Sequence, residues 1–188
     1  MAKARAKKKS APKAGWSLAL VNAIWPQERD FMERPDRYRY VRKLLSPSGC
    51  VFCAAAKGRE PLLLAKDELA MVVMNKYPYN TGHLLVLPVA HVGDLWKLDG
   101  KINARMAYWL KESARILTDV LGCQGLNMGM NHGAVAGAGI PEHLHWHVIP
   151  RWSGDTNFFP LIAETKALPQ TLEQTHALLA PRFQELMK

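Results

Sequence analysis

The chain has 188 residues, enough for one domain with a real core, and its 48% apolar and 22% charged residues are ordinary for a globular protein and exclude a low-complexity class. Six of the nine net positive charges sit in residues 1–14, so the basic balance says little about the remainder. Three cysteines, an odd count, argue against a disulfide framework.

Residues 1–14, MAKARAKKKSAPKA, contain no acid and too few apolar side chains to offset the entropy of ordering. They are predicted to be a disordered basic tail, solubilising in role, with nucleic acid or an anionic surface as the alternative partner. Residues 15–188 are predicted to form a single domain. The segment GWSLALVNAIWPQERD imitates a secretory signal, a basic start followed by an apolar run. Asn22 interrupts that run, no small-residue cleavage site follows, and the run is too short to span a bilayer. A short amphipathic helix or strand packed on the domain is expected there, in a cytoplasmic protein with no membrane partner. RYRYVRKLL, further on, suits a short helix.

Cys50 and Cys53 then form a C-x-x-C in GCVFC. In a reducing compartment this reads as metal ligands or a redox pair. PLLLA (61–65), LAMVVMN (69–75) and HLLVLP (83–88) are apolar, β-compatible runs, the last two separated by the turn NKYPYNTG. Between 101 and 122, Ile102, Met106, Trp109, Leu110, Ile116, Leu117 and Val120 recur at helical spacing, and Gly122 is placed to end the helix. Cys123 after it reads as a small packed residue. GLNMGMN (125–131) is a further strand, followed by a loop of small residues, HGAVAGAGIPE. TLEQTHALLAPRFQELMK is helical in pattern, with Thr171 as N-cap and Pro181 as an interruption. Strands grouped together rather than alternating with helices predict an α+β fold with a mainly antiparallel sheet.

Three of the seven histidines, His143, His145 and His147, alternate in PEHLHWHVIPRW. In a strand they would line one side, with Leu144, Trp146 and Val148 on the other, Trp146 serving the core. A helix would scatter them. A merely solvated face would not require imidazole at every position, which leaves two functional readings: three metal ligands, or one nucleophilic ring with the others binding and orienting. Gly133, Gly137 and Gly139 precede them in a loop able to bring backbone N–H groups near phosphate. No P-loop, Rossmann fingerprint or nucleophile elbow is present in the sequence.

HLHWHVI matches the pattern of the histidine triad (HIT) superfamily of nucleotide hydrolases and transferases, and NKYPYNTGHLLVLPVAH (75–91) is similar to its substrate-side block. GCVFC resembles the C-x-x-C of many bacterial members, and PRWSGDTNFFP resembles the branch of diadenosine tetraphosphate phosphorylases and hydrolases. The resemblance spans roughly residues 48–160. It implies a half-barrel of about five antiparallel strands with one long helix and a C-terminal helix, in a homodimer. The implied activity is cleavage of a dinucleoside polyphosphate at an α-phosphorus through a nucleotidyl-histidine. The alternatives are hydrolysis of other adenylates, with a phosphoramidate or sulfate leaving group, and a low-turnover, zinc-stabilised nucleotide-binding protein.

By the same resemblance, His145 is the nucleophile, His147 contacts phosphate oxygens and His83 is a fourth active-site histidine. Asn75 is placed for the ribose, Asn131 and the backbone of Gly139 for phosphate, and Asn157, with Asp155 and Thr156, for the far end of the substrate. Cys50, Cys53, His91 and His143 form an implied structural zinc set, and no organic cofactor is implied. Phe52, Leu69 and residues 71–73 are candidates for the base pocket.

Overall fold

The computed structural model describes residues 49–58, 60–155 and 168–188. The basic tail, the tryptophan-bracketed segment after it, RYRYVRKLL, Thr156 and Asn157 lie outside the described residues, and with them much of the expected division at residue 15. A short helix α1 (Val51–Ala56) is followed by β1 (Leu63–Lys66), β2 (Ala70–Met74) and β3 (Leu84–Pro88). After a 3-10 turn at Leu95–Lys97 come α2 (Gly100–Leu121), β4 (Gly125–Gly129), β5 (Trp146–Arg151) and α3 (Leu172–Glu185). The strands form one open antiparallel sheet in the order β1-β2-β3-β5-β4, so the fold is α+β as expected.

Each strand shows two faces because successive side chains alternate. Ala70, Val72, Met74, Leu84, Val86 and Val148 pack against Met106, Trp109, Ile116 and Leu117 of α2 and Leu179 and Phe183 of α3. Met71, Val73, Leu85 and Leu87 turn the other way and are covered by Phe52 and Ala55 of α1. The helices that carry the main core thus occupy one side, and the other is left for chemistry.

Helix α2 starts on Asp99, whose carboxylate accepts from the Lys101 N–H, and ends on Gly122 in the left-handed region at φ 60°. Asp67, in the β1–β2 turn, holds α2 to the sheet. Its two oxygens accept from the backbone N–H groups of Leu69 and Ala70 and from Arg105 Nε (2.6 Å) and Trp109 Nε1 (2.7 Å). Cys123 is buried in the core, as expected.

Two expectations change. Helix α3 begins on the expected N-cap Thr171, which forms a capping box with Gln174, but runs through Pro181 to Glu185. Pro181 removes one N–H donor, but Phe183 beyond it is fully buried near Trp109, and that burial holds the last turn in place. The histidine stretch is also not a continuous strand. Only His147 lies in β5, because the Leu144 N–H bonds Val92 O (2.8 Å) in a neighbouring loop instead of entering a ladder. The alternation survives: Leu144, Trp146 and Val148 all pack on the main core.

Candidate functional site

Register places the site. His147 on β5 pairs with Leu85 on β3 and with Gly129 on β4, so its ring shares the face opposite α2 and α3. His83, two residues before Leu85, belongs to the same face. His143, His145 and His83 are 0%, 7% and 1% exposed. Burial penalises the charged imidazolium and lowers the pKa of all three, that of His83 to about 3, where His147 and His145 add to the effect. These rings are therefore neutral near pH 7.

Hydrogen bonds then assign each proton. His145 Nδ1–H donates to the His143 carbonyl oxygen (2.9 Å), which leaves Nε2 with its lone pair. The Tyr79 backbone N–H donates to His83 Nδ1 (3.1 Å), so the His83 proton sits on Nε2. That proton is donated to His147 Nδ1 (2.9 Å), which puts the His147 proton on Nε2. Side by side, with ring centroids 5.1 Å apart, the face presents a basic nitrogen on His145 and a donor on His147.

The turn from 75 to 83 is built for this polarity. Gly82 adopts φ 75°, and a Cβ there would lie 2.5 Å from Leu121 Cδ1, so the turn can press onto the end of α2 only with glycine. Asn75 closes the turn by accepting from the Tyr77 N–H (3.0 Å), and its amide nitrogen lies 3.3 Å from His83 Nδ1. The Tyr79 ring covers both histidines of the relay, 4.9 Å from His83 and 6.1 Å from His147. Tyr79 escaped sequence reasoning because its contribution is a backbone N–H and a turn-dependent ring position, neither of which leaves a residue-type signal.

A second cluster adjoins the first. One ligand atom from each of Cys50, Cys53, His91 and His143 lies within 4.8 Å of the others. His143 Nδ1 is 3.4 Å from Cys50 Sγ and 3.7 Å from Cys53 Sγ, and His91 Nδ1 is 3.2 Å from Cys53 Sγ. A tetrahedral zinc with bonds of about 2.3 Å to sulfur and about 2.0 Å to nitrogen would set sulfur and nitrogen roughly 3.5 Å apart. The donor set therefore fits that ion. His143 Nε2–H donates to Pro88 O (2.9 Å), which turns the Nδ1 lone pair toward the thiols, the usual arrangement of a metal-bound histidine. Gly93 makes the approach possible: a Cβ there would meet Pro141 O at 2.6 Å.

Other expected residues are placed as follows. Asn131 lies two residues beyond Gly129, the β4 partner of His147, and its amide faces Gly137 across the small-residue loop. Gly139 is exposed in a bend just before Ile140. Asp155 takes a structural part: its oxygens accept from Arg151 Nε and Nη2 and from Asn80 Nδ2 (2.9 Å), tying the end of β5 to the 75–83 turn. Phe52 packs on His145 (5.0 Å) and His143 (5.4 Å). Met71 and Val73 share its cluster, whereas Val72 faces the helices and Leu69 is half-buried.

Comparison with known proteins gives concordant results. The HIT domain family model matches residues 59–154. A Mycobacterium tuberculosis protein named AP-4-A phosphorylase is 41% identical over 124 residues, 66% of this chain; the match spans 64% of that relative's length. An adenylylsulfatase of Arabidopsis thaliana is 31% identical over 107 residues, 56% of this chain and 54% of the plant protein. Among solved structures, a zinc-bound histidine triad family protein from Mycobacterium smegmatis aligns with TM-score 0.61 and 30% identity, covering 74% of this chain and 96% of that one. A histidine triad nucleotide-binding protein from Sulfolobus tokodaii aligns with TM-score 0.60 and 26% identity, over 73% and 93% of the two chains.

Proposed function

Because the chain belongs to the HIT domain family, we propose that it is a nucleotide hydrolase or nucleotidyltransferase that cleaves dinucleoside polyphosphates such as diadenosine tetraphosphate at an α-phosphorus. The observation that carries this reading is the hydrogen bond from His145 Nδ1–H to the His143 carbonyl, which leaves a neutral, buried ring with Nε2 as its nucleophilic atom. The similarity to a relative named AP-4-A phosphorylase supports the substrate class.

In the first step the Nε2 lone pair of His145 attacks the α-phosphorus. The bond from phosphorus to the bridging oxygen breaks, and the leaving phosphate keeps the electron pair. The positive charge that develops on the ring is shared through Nδ1–H with the His143 carbonyl. His147 donates from Nε2 to the oxygen on which negative charge grows, its polarity held by His83. In the second step an oxygen of inorganic phosphate or water attacks phosphorus, the N–P bond breaks, and His145 returns to neutrality. Asn75 is assigned to the ribose, Asn131 and the Gly139 N–H to the phosphates, Asn157 to the far end of the substrate, and the surface around Phe52, Met71 and Val73 to the base.

Cys50, Cys53, His91 and His143 would hold zinc. With four protein ligands it has no open position, so it supplies a structural tie rather than a Lewis acid. A homodimer in the cytoplasm completes the proposal; among the described residues no helix is long and apolar enough to cross a membrane. Similarity to an adenylylsulfatase favours, as a second reading, an adenylate whose leaving group is sulfate.

Incubation with diadenosine tetraphosphate, with and without phosphate, tests the reading. ADP plus ATP formed only with phosphate identifies a phosphorylase. AMP plus ATP formed without it identifies a hydrolase, whereas two ADP would mean attack at a β-phosphorus and overturn the α-phosphorus assignment. The His145→Ala variant is expected to lose either activity by about three or more orders of magnitude. A folded variant that retains the wild-type rate would remove His145 from the mechanism.

A further inference from the structure

Strand β4 carries a polar side chain on the same face as the histidines. Trp146 and Val148 pack on the main core, so their neighbours His147, Ile149 and Arg151 face the other way. With them face their register partners Gly129, Asn127 and Gly125. A direct contact agrees: Arg151 Nη1–H donates to Asn127 Oδ1 (2.7 Å). Asn127 and His147 are diagonal neighbours across the ladder, a separation of about 7–8 Å that a bound phosphate can bridge. Asn127 is exposed, and only Gly129 stands between it and the histidine on β4. The fold does not demand that glycine. Its backbone is not left-handed, and a Cβ there would meet nothing within 4 Å. Glycine weakens a strand, so one that packing does not need marks a place where something else comes close to the backbone.

Two further observations give that place a direction and a chemistry. The sheet order is β1-β2-β3-β5-β4. The surface assigned to the base lies on β2, the triad leads into β5, and β4 is on the far side. A substrate with its base over Met71 and Val73 and its α-phosphorus at the triad extends its remaining phosphates over β4. The amide of Asn127 is also oriented for them. A guanidinium only donates, so the Asn127 oxygen faces Arg151 and its NH2 group is turned elsewhere. Asp155 accepts from Arg151 Nε (2.6 Å) and Nη2 (2.7 Å), which matches the guanidinium charge and fixes its plane. Arg151 thus orients the amide, and the amide supplies donors.

We propose that Asn127, oriented by Arg151, is a specificity-determining residue: its amide donates to the phosphate that follows the α-phosphorus on the leaving side, and so selects substrates whose leaving group is a phosphate chain. The inference rests on the assignment of the triad as the site of attack on an α-phosphorus. Donation to an anionic oxygen is stronger than to a neutral one, and the charge on that phosphate grows as the bond to the α-phosphorus breaks. An adenylate whose leaving group carries no phosphate makes no such contact.

The Asn127→Asp variant of the full chain separates this role from a structural one. It keeps an acceptor for Arg151 but replaces the NH2 donors with a carboxylate that repels phosphate. The quantity read is the ratio of kcat/KM on diadenosine tetraphosphate to kcat/KM on adenosine 5′-phosphoramidate, with circular dichroism to verify folding. The ratio is expected to fall about 10- to 100-fold in Asn127→Asp and to fall also in Asn127→Ala. An unchanged ratio in Asn127→Asp overturns the proposal, because a side chain that merely holds Arg151 is replaced by aspartate without loss. Binding gives a measurement that needs no turnover: the affinity for α,β-methylene ATP relative to AMP. Wild type is expected to favour the triphosphate analogue and Asn127→Asp to lose most of that preference; a preference equal in both overturns the proposal. If wild type turns over no diadenosine tetraphosphate, the assigned substrate fails, and the binding comparison still decides the role of Asn127.

Discussion

At the scale of single residues, the histidines differ by the partner each Nδ1 meets. For His145 it is a carbonyl, for His83 a backbone N–H and for His147 another imidazole, so three chemically equal side chains take two tautomers, Nδ1–H on His145 and Nε2–H on His83 and His147. Burial penalises the charged form of His83, and the neighbouring His147 and His145 add to the effect, so its pKa falls to about 3. An NMR titration of His83 Hε1 in the folded protein is therefore expected to show no inflection of its own between about pH 5 and 8. A midpoint near 6.5 would mean that the ring is solvated and the relay is not formed.

Among the elements, the β1–β2 turn and α2 depend on Asp67. Burial alone would raise its pKa, but the N–H groups of Ala70 and Leu69 with Arg105 and Trp109 outweigh burial and hold it below the usual carboxylate value. The Asp67→Ala substitution leaves the buried Trp109 N–H without its acceptor and should cost about 2–3 kcal/mol in chemical denaturation at neutral pH. The sign with pH follows from the depressed pKa. The contribution is complete above about pH 4 and lost as pH falls through the lower folded value, so wild type and variant should converge in strong acid. Helix α3 teaches the complementary lesson. Its N-cap Thr171 is local chemistry and was legible, whereas continuation past Pro181 depends on Phe183 reaching a core built from other elements.

For the molecule as a whole, the cluster of Cys50, Cys53, His91 and His143, which could hold a metal ion, joins three distant stretches: the start of α1, the loop after β3 and the segment before β5. An ion that binds the folded state alone stabilises it by mass action. Chelation is expected to lower the melting temperature by about 5 °C or more, and zinc is expected to reverse the loss. A melting temperature indifferent to both would show that the four side chains hold no metal. Acid should act in stages. As pH falls from about 6.5 toward 3, unfolded histidine takes up a proton that folded His83 refuses, so stability declines before Asp67 titrates.

The sequence by itself determined the α+β class, the long helix and its glycine end and the strand runs, because periodicity and capping are local properties, while the grouping of Cys50, Cys53, His91 and His143 followed from the resemblance to the HIT family. Tertiary structure alone decided that His143 and His145 stand outside the strand, that Asp155 is committed to Arg151 and Asn80, and that the Tyr79 N–H orients the relay. It also decided which nitrogen of the His83 and His147 rings carries its proton. The bonds from Leu144 to Val92, Asn80 to Asp155 and His83 to His147 join residues far apart in the chain, and such a bond leaves no trace in the spacing of either partner; the shorter-range ones depend on turn geometry that residue type alone does not fix.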